Sequence, residues 1–202
     1  MDFVVEAAPE ALSLKQELFR ELDQTCHRGA ILATNTSSLS VTEIASVTSR
    51  AELVLGMHFF NPPQIMKLVE IIRHDRTAEQ TIDAVLSVVR RMKKEAIVVK
   101  DSPGFATSRL GLTLGLEAMR MVEDGVASVE DIDRAMELGY NHSMGPLRLG
   151  DLVGLDVRLA IAEYLYEKLG SEVFRPPEIL RRMVREGKLG KKTGQGFYRW
   201  EE

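Results

Sequence analysis

The chain has 202 residues, 45% of them hydrophobic and 28% charged, with a net charge of −4 and a pI near 5.7. This composition is typical of a globular protein with its own core, and the negative charge gives no electrostatic support for binding nucleic acid. No apolar run reaches the ~18 residues of a membrane span, and no Cys/His spacing predicts a metal site. The single cysteine, Cys26, fits a reducing compartment. Asp2 and Glu6 are acidic, whereas the first residues of a signal peptide are basic, so we expect a cytoplasmic protein.

The first half of the chain alternates short apolar runs with segments of helical spacing. In chain order, the predicted strands are 3–5, 30–33, 53–55 and 96–99, and the predicted helices are 10–22, 41–47 and 77–94. This alternation predicts a parallel, doubly wound sheet, in which ligands bind outside the carboxyl ends of the strands. Asn35, Ser37 and His58 all follow predicted strands, so we expect them on one rim of the sheet.

The second half of the chain has almost no strand pattern. Asp101-Ser102-Pro103-Gly104 breaks the last strand, and helices are predicted at 105–122, 128–138, from Pro146, at 156–169 and at 177–185. We therefore predict an α/β part followed by an all-α part, with a partial dinucleotide-binding domain at 1–100 and a helical domain at 101–202. Gly111 and Gly115 each cost roughly 1 kcal/mol in a helix, which suggests a close helix–helix contact there.

Residues 54–72 contain two apolar runs separated by Pro62 and Pro63, which force a turn. His58 in the first run and Glu70 in the second lie symmetrically about Gln64, so back-to-back pairing would make them cross-strand neighbours. A carboxylate that fixes the proton on one ring nitrogen leaves the other nitrogen free to act as a general base. The spacing alone is also compatible with a purely structural buried pair.

Five motifs, in order along the chain, resemble those of the NAD-dependent 3-hydroxyacyl-CoA dehydrogenases. They are Thr34-Asn35-Thr36-Ser37-Ser38; Met57-His58-Phe59-Phe60-Asn61-Pro62 with Met66-Lys67-Leu68-Val69-Glu70; Lys100-Asp101-Ser102-Pro103-Gly104-Phe105; Met144-Gly145-Pro146; and Gly190-Lys191-Lys192-Thr193-Gly194-Gln195-Gly196-Phe197-Tyr198. The resemblance implies a Rossmann-type fold and the oxidation of an L-3-hydroxyacyl-CoA to the 3-ketoacyl-CoA in fatty-acid or butyrate-type metabolism. NAD is the implied cofactor.

The resemblance also implies roles for individual residues. The implied catalytic set is His58, Glu70, Ser37 and Ser108, and the implied cofactor-binding set is Glu10, Lys15, Asn35, Ser37, Asn61 and Lys192. Without the resemblance, the Thr/Asn/Ser turn is an ordinary helix-capping turn, and Glu10 and Lys15 are charges on a helix surface. Lys192 alone would be part of a solvated basic turn.

Two departures from the family pattern qualify these roles. Ser108 stands where the family usually has an asparagine, and its shorter side chain offers a single donor to the substrate. The sequence also contains no Gly-x-Gly-x-x-Gly turn to hold a pyrophosphate, so we expect a polypeptide of these 202 residues to bind NAD weakly.

Two other functions remain open at this point. One is a non-catalytic binding or oligomerisation module of the same family, and the other is a sibling dehydrogenase that acts on a non-CoA hydroxy acid. The expected partners are an acyl-CoA substrate and a second copy of the chain, bound through the Leu- and Met-rich helix after Phe105. Neither nucleic acid nor a membrane is expected as a partner.

Overall fold

The computed structural model describes residues 2–201, and the chain divides into two compact units between Ala106 and Thr107. The first unit contains β1 (Phe3–Glu6), α1 (Leu12–Thr25), β2 (Ile31–Thr34), α2 (Val41–Ala45), β3 (Val54–Phe59), β4 (Leu68–Arg73), α3 (Glu79–Arg91) and β5 (Glu95–Lys100). The second contains α4 (Thr107–Glu123), α5 (Val129–Tyr140), α6 (Pro146–Val153), α7 (Leu155–Leu169) and α8 (Glu178–Arg185). The predicted α/β part followed by a helical part is confirmed.

The strands of the first unit form one sheet in the order β1-β2-β3-β4-β5. The β1/β2, β2/β3 and β4/β5 pairs are parallel, whereas β3 and β4 are antiparallel. The predicted parallel sheet is thus interrupted at the β3/β4 pair, where residues 54–72 pair back to back with His58 opposite Glu70, as their spacing predicts. The physical reason is the short connection from Phe59 to Leu68, because a parallel return needs a crossover of about a dozen residues or more.

Both faces of the sheet are covered by helices, as in a doubly wound fold. Leu32 and Val54 pack with Phe19 of α1 and Ile44 of α2, while Ala33 and Leu55 lie in the opposite layer, which is completed by α3. Successive side chains of a strand point to opposite faces, so neighbouring residues in one strand enter different layers. The predicted doubly wound architecture is confirmed.

Gly56 lets α2 approach the sheet closely on the face that carries His58. A methyl group at Gly56 would lie 2.8 Å from Cβ of Ile72 and 3.1 Å from Cγ2 of Val41. His58 is two residues further along β3 and therefore points to the same face. Gly56 therefore allows α2, and the polar turn that precedes it, to lie near the carboxyl end of β3.

The helical unit has its own core, built mainly from α4, α6, α7 and α8. Leu112, Leu116 and Met119 of α4 are buried against Leu147 of α6 and Leu165 of α7. The predicted close helix–helix contact is not found at Gly115, where among residues 2–201 a methyl group would meet nothing within 4 Å, and at Gly111 a methyl group would meet only Nη1 of Arg158 on α7, 3.9 Å away. None of the helices within these residues is long and apolar enough to cross a bilayer.

Two buried aspartates, Asp133 of α5 and Asp151 of α6, hold the Gly190–Trp200 segment against these helices. Asp151 is fully buried and accepts hydrogen bonds from the backbone N–H of Phe197 and Tyr198, both at 2.9 Å, and from the Trp200 indole at 3.0 Å. The Tyr198 hydroxyl donates to Asp133 at 2.8 Å, and burial together with this bond raises the pKa of Tyr198. A methyl group at Gly196 would overlap the Asp151 carboxylate, which explains the glycine.

Candidate active site

The centre of the candidate site is the pair of His58 and Glu70. The two residues are direct partners in the β3/β4 register, and Nδ1 of His58 lies 2.8 Å from Oε2 of Glu70. Oε1 of Glu70 accepts a hydrogen bond from the Ala106 backbone N–H at 3.1 Å. The Glu70 side chain is 0% exposed and that of His58 is 7% exposed. A carboxylate in this position fixes the proton on Nδ1 and leaves Nε2 as the basic nitrogen.

Two aromatic rings flank the imidazole. The Phe60 ring centroid lies 4.6 Å and the Phe105 centroid 6.3 Å from that of His58. Phe105 has a φ of 49°, a left-handed conformation that is unusual for an aromatic residue, and its N–H donates to the carbonyl of Ser102. Phe105 is itself buried, whereas Phe60 is half-buried. Neither was predicted as a site residue, although both lie within the quoted motifs.

Glu10 organises the polar turn that follows β2. Its Oε1 accepts hydrogen bonds from the Thr36 hydroxyl at 2.6 Å, the Ser37 N–H at 2.9 Å and the Ser38 N–H at 3.1 Å. These donors come from successive residues, so one carboxylate oxygen fixes the conformation of the whole turn. Glu10 is therefore more than a charge on a helix surface, because it sets the position of Ser37.

Lys15 is buried, contrary to the expectation of a helix-surface charge. Its side chain is 1% exposed, and Nζ lies 2.8 and 3.1 Å from the two carboxylate oxygens of Glu6 and 3.0 Å from the Ala8 carbonyl. The Thr34 hydroxyl donates to the same Glu6 carboxylate at 2.7 Å. A buried ammonium needs such a partner, so this pair ties α1 to the ends of β1 and β2. The role of Glu6 as the partner of Lys15 was not predicted from the sequence.

Asn35 joins the two parallel strands at the rim. Its side-chain Oδ1 accepts the Phe59 N–H at 2.8 Å, so its amide nitrogen is the group left to donate. Because β2 and β3 are parallel neighbours, Asn35 and Ser37 after β2 lie at the same edge of the sheet as His58. His58 does not follow its strand as predicted, because β3 extends to Phe59 and includes it. Asn61 is exposed and lies in the β3–β4 loop, where its peptide bond to Pro62 is cis.

Ser108 and Lys192 belong to the helical unit. Ser108 is half-buried in the first turn of α4. Lys192 donates to Oδ2 of Asp156 at 2.6 Å. Burial works against ionisation of Asp156, but the hydrogen bonds from Lys192 and from the Val157 N–H outweigh it and keep the pKa of Asp156 below its usual value. The cofactor contact of Lys192 remains a prediction.

The rim of the sheet has the chemistry that the nicotinamide end of NAD requires. The Asn35 amide can donate to a carboxamide oxygen, and the Ser37 hydroxyl can donate to or accept from a ribose or substrate hydroxyl. Both groups are held by bonds within the first unit, through Phe59 and Glu10 respectively. The residues present therefore fit this part of the cofactor.

Comparison with known proteins agrees with this assignment over nearly the whole chain. Residues 1–102 match the family model described as "3-hydroxyacyl-CoA dehydrogenase, NAD binding domain", and residues 104–200 match the C-terminal domain of the same family. The 3-hydroxybutyryl-CoA dehydrogenase of Clostridioides difficile is 49% identical over 198 residues, which are 98% of this chain and 70% of that protein. The mitochondrial hydroxyacyl-coenzyme A dehydrogenase of Homo sapiens is 43% identical over 99% of this chain and 64% of that protein.

A solved structure shows the same likeness in three dimensions. The (S)-3-hydroxybutyryl-CoA dehydrogenase from Ralstonia eutropha superimposes with a TM-score of 0.96 at 44% identity, covering 100% of this chain and 71% of that chain. The two domain matches, these identities and this superposition agree with one another. This chain belongs to the 3-hydroxyacyl-CoA dehydrogenase family.

Proposed function

We propose that this protein oxidises an L-3-hydroxyacyl-CoA to the corresponding 3-ketoacyl-CoA with NAD. The observation that carries the proposal is the 2.8 Å contact between His58 Nδ1 and Glu70 Oε2 at the carboxyl end of β3. Proteins named for this reaction are 42–49% identical to the chain. A buried His–Glu pair beside donors suited to nicotinamide is the arrangement that alcohol oxidation needs.

His58 is the proposed general base. Its Nε2 accepts the proton of the substrate's 3-hydroxyl group as the carbon–oxygen double bond forms, and Glu70 stabilises the resulting imidazolium through Nδ1–H. NAD, when bound, supplies the acceptor for the hydride that leaves carbon 3. The pair is buried beside Phe60 and Phe105, which strengthens its electrostatic interaction.

We assign the remaining residues by position. Asn35, Ser37 and Asn61 would hold the nicotinamide end of the cofactor, with Ser37 also contacting the substrate hydroxyl. Glu10 and Lys15 support that rim through the contacts described above, and Ser108 positions the reacting part of the acyl chain. Lys192 would contact bound ligand. In this proposal residues 1–100 bind the cofactor, and residues 101–202 bind substrate and a second subunit.

The direct test is an assay of the reaction with purified protein. Adding 3-hydroxybutyryl-CoA and NAD should produce NADH, seen by its absorbance, and adding acetoacetyl-CoA to NADH should consume it. The L enantiomer alone should react. A protein that binds NADH but turns over neither CoA substrate, while oxidising a free hydroxy acid, would show that the acyl-CoA assignment is wrong.

We further propose that the protein is a homodimer formed through its helical unit and that it resides in the cytoplasm. Leu149, Leu152 and Val153 lie on one side of α6 with 37%, 45% and 43% of their surface exposed, a grouping typical of an interface. Light scattering at micromolar concentration should give twice the monomer mass, and a monomer would contradict the dimer. The location is supported by Cys26, which is a free thiol.

A further inference from the structure

Arg158 occupies a position in α7 where an apolar residue is expected. The buried residues of this helix are Leu155, Arg158, Ala162 and Leu165, which recur at the spacing of a core-facing stripe. Arg158 is only 8% exposed, and burial lowers the pKa of its guanidinium. Arginine is rarely buried unless a carboxylate or phosphate accompanies it.

One nitrogen of this guanidinium is buried without a partner. Nε of Arg158 has no hydrogen-bond acceptor within residues 2–201. A buried cation without a counter-charge is unfavourable, whereas the same cation beside a carboxylate can form a bidentate, charge-assisted pair. The site therefore has the chemistry of an anion receptor.

Open space lies beside Arg158 along α4. Ser108, Gly111 and Gly115 follow one another at i, i+3 and i+7 and so share one face of this helix. A methyl group at Gly111 would meet only Nη1 of Arg158, 3.9 Å away, and one at Gly115 would meet nothing within 4 Å even though Gly115 is buried. We call the space along Ser108, Gly111 and Gly115 the glycine groove. It leads from Ser108 to the guanidinium.

We propose that the glycine groove receives an acyl chain that ends in a carboxylate, and that Arg158 binds this carboxylate. The protein would then act on short 3-hydroxyacyl-CoA esters of dicarboxylic acids. The inference rests on the proposed function, because Ser108 is assigned to the reacting part of the acyl chain. Gly111 lies roughly 4.5 Å from Ser108 along the axis of α4. In an acyl chain with five or six carbons in total, the part beyond the hydroxyl-bearing carbon 3, together with the terminal carboxylate, can cover this distance.

The phosphates of CoA are a poorer match for Arg158. They are separated from the thioester by the whole pantetheine arm, which is far longer than one helical turn. A carboxylate at the end of a short acyl chain stays within that turn. The planar guanidinium also fits a carboxylate in two parallel hydrogen bonds, which would satisfy the buried Nε.

Binding of non-reactive esters tests the inference separately from catalysis. Adipyl-CoA and hexanoyl-CoA have the same acyl length, differ at the terminal group and lack the hydroxyl that is oxidised, so calorimetry without NAD reports recognition alone. We expect the protein to bind adipyl-CoA roughly 10- to 100-fold more tightly than hexanoyl-CoA. Arg158→Met should bring the two dissociation constants together, and Arg182→Met, which removes an exposed charge from α8, should keep the preference.

Thermal unfolding shows whether Arg158→Met is folded, which we expect because the change removes a buried charge. Gly111→Leu gives an independent test, because the leucine side chain fills the groove. It should weaken the binding of adipyl-CoA at least tenfold relative to the binding of acetyl-CoA, whose acyl group is too short to reach the groove. Equal affinities in the unchanged protein, no measurable binding of either ester, or a preference that survives Arg158→Met would each overturn the inference. Failure of the oxidation assay with a preserved adipyl-CoA preference would instead count against the proposed reaction.

Discussion

Replacing His58 with glutamine is expected to lower kcat for 3-hydroxybutyryl-CoA oxidation by roughly 100- to 10,000-fold. The imidazole is the only group at the β3 end whose proton is held by a buried carboxylate within residues 2–201, and glutamine cannot accept the hydroxyl proton. The change leaves the substrate-positioning residues in place, so KM should change much less than kcat. Steady-state kinetics that separate the two constants make the measurement.

His142→Gln is the matched control, because it makes the same chemical change at an exposed position of the helical unit. Its kcat should equal that of the unchanged protein. Glu70→Gln should give an intermediate loss, since the imidazole remains but the charge that stabilises its protonated form is gone. A His58→Gln variant with more than a tenth of the original kcat would contradict the role of His58 as base.

Replacing Asp151 with alanine is expected to lower the free energy of unfolding by roughly 3–5 kcal/mol. This carboxylate is fully buried and accepts the N–H groups of Phe197 and Tyr198 and the indole N–H of Trp200. Without it, these donors stay buried and unpaired, and the Gly190–Trp200 segment loses its attachment to α6. Denaturant unfolding followed by Trp200 fluorescence reports this loss, because the indole is one of the freed groups.

Asp124→Ala removes the same charge from an exposed position after α4 and should change stability by less than about 0.5 kcal/mol. The comparison separates the loss of buried hydrogen bonds from the loss of a negative charge. Equal unfolding midpoints for the two variants would mean that Asp151 does not anchor the segment.

The His58–Glu70 pairing could be anticipated from the sequence because local information determines it. Pro62 and Pro63 force the turn, and the two residues are equidistant from Gln64, so an antiparallel return places them opposite each other. The carboxyl-end positions of Asn35 and Ser37 followed in the same way from the alternation of strands and helices. In each case the period of the hydrophobic pattern, together with a turn residue, specifies the geometry.

The supporting contacts could not be anticipated, because they join residues that are distant in the sequence. The helical pattern of residues 10–22 assigns Lys15 to the helix surface, and only the folded structure brings it to Glu6, whose carboxylate also accepts the Thr34 hydroxyl. Glu10 reaches the Ser37 turn across 27 residues. The surroundings of Gly115 could not be predicted either, since a sequence pattern cannot distinguish a glycine that admits a neighbouring helix from one that borders open space.

The most direct test of the central claim is the tautomer of the His58 imidazole in the resting protein. Nitrogen-15 chemical shifts of labelled histidine, assigned with the His58→Gln variant, distinguish a protonated from an unprotonated ring nitrogen. At a pH where the ring is neutral, we predict that Nδ1 carries the proton that it donates to Glu70 and that Nε2 is unprotonated and free to accept the substrate proton. A neutral ring protonated on Nε2 would contradict the account, because the base would then be unavailable to the substrate.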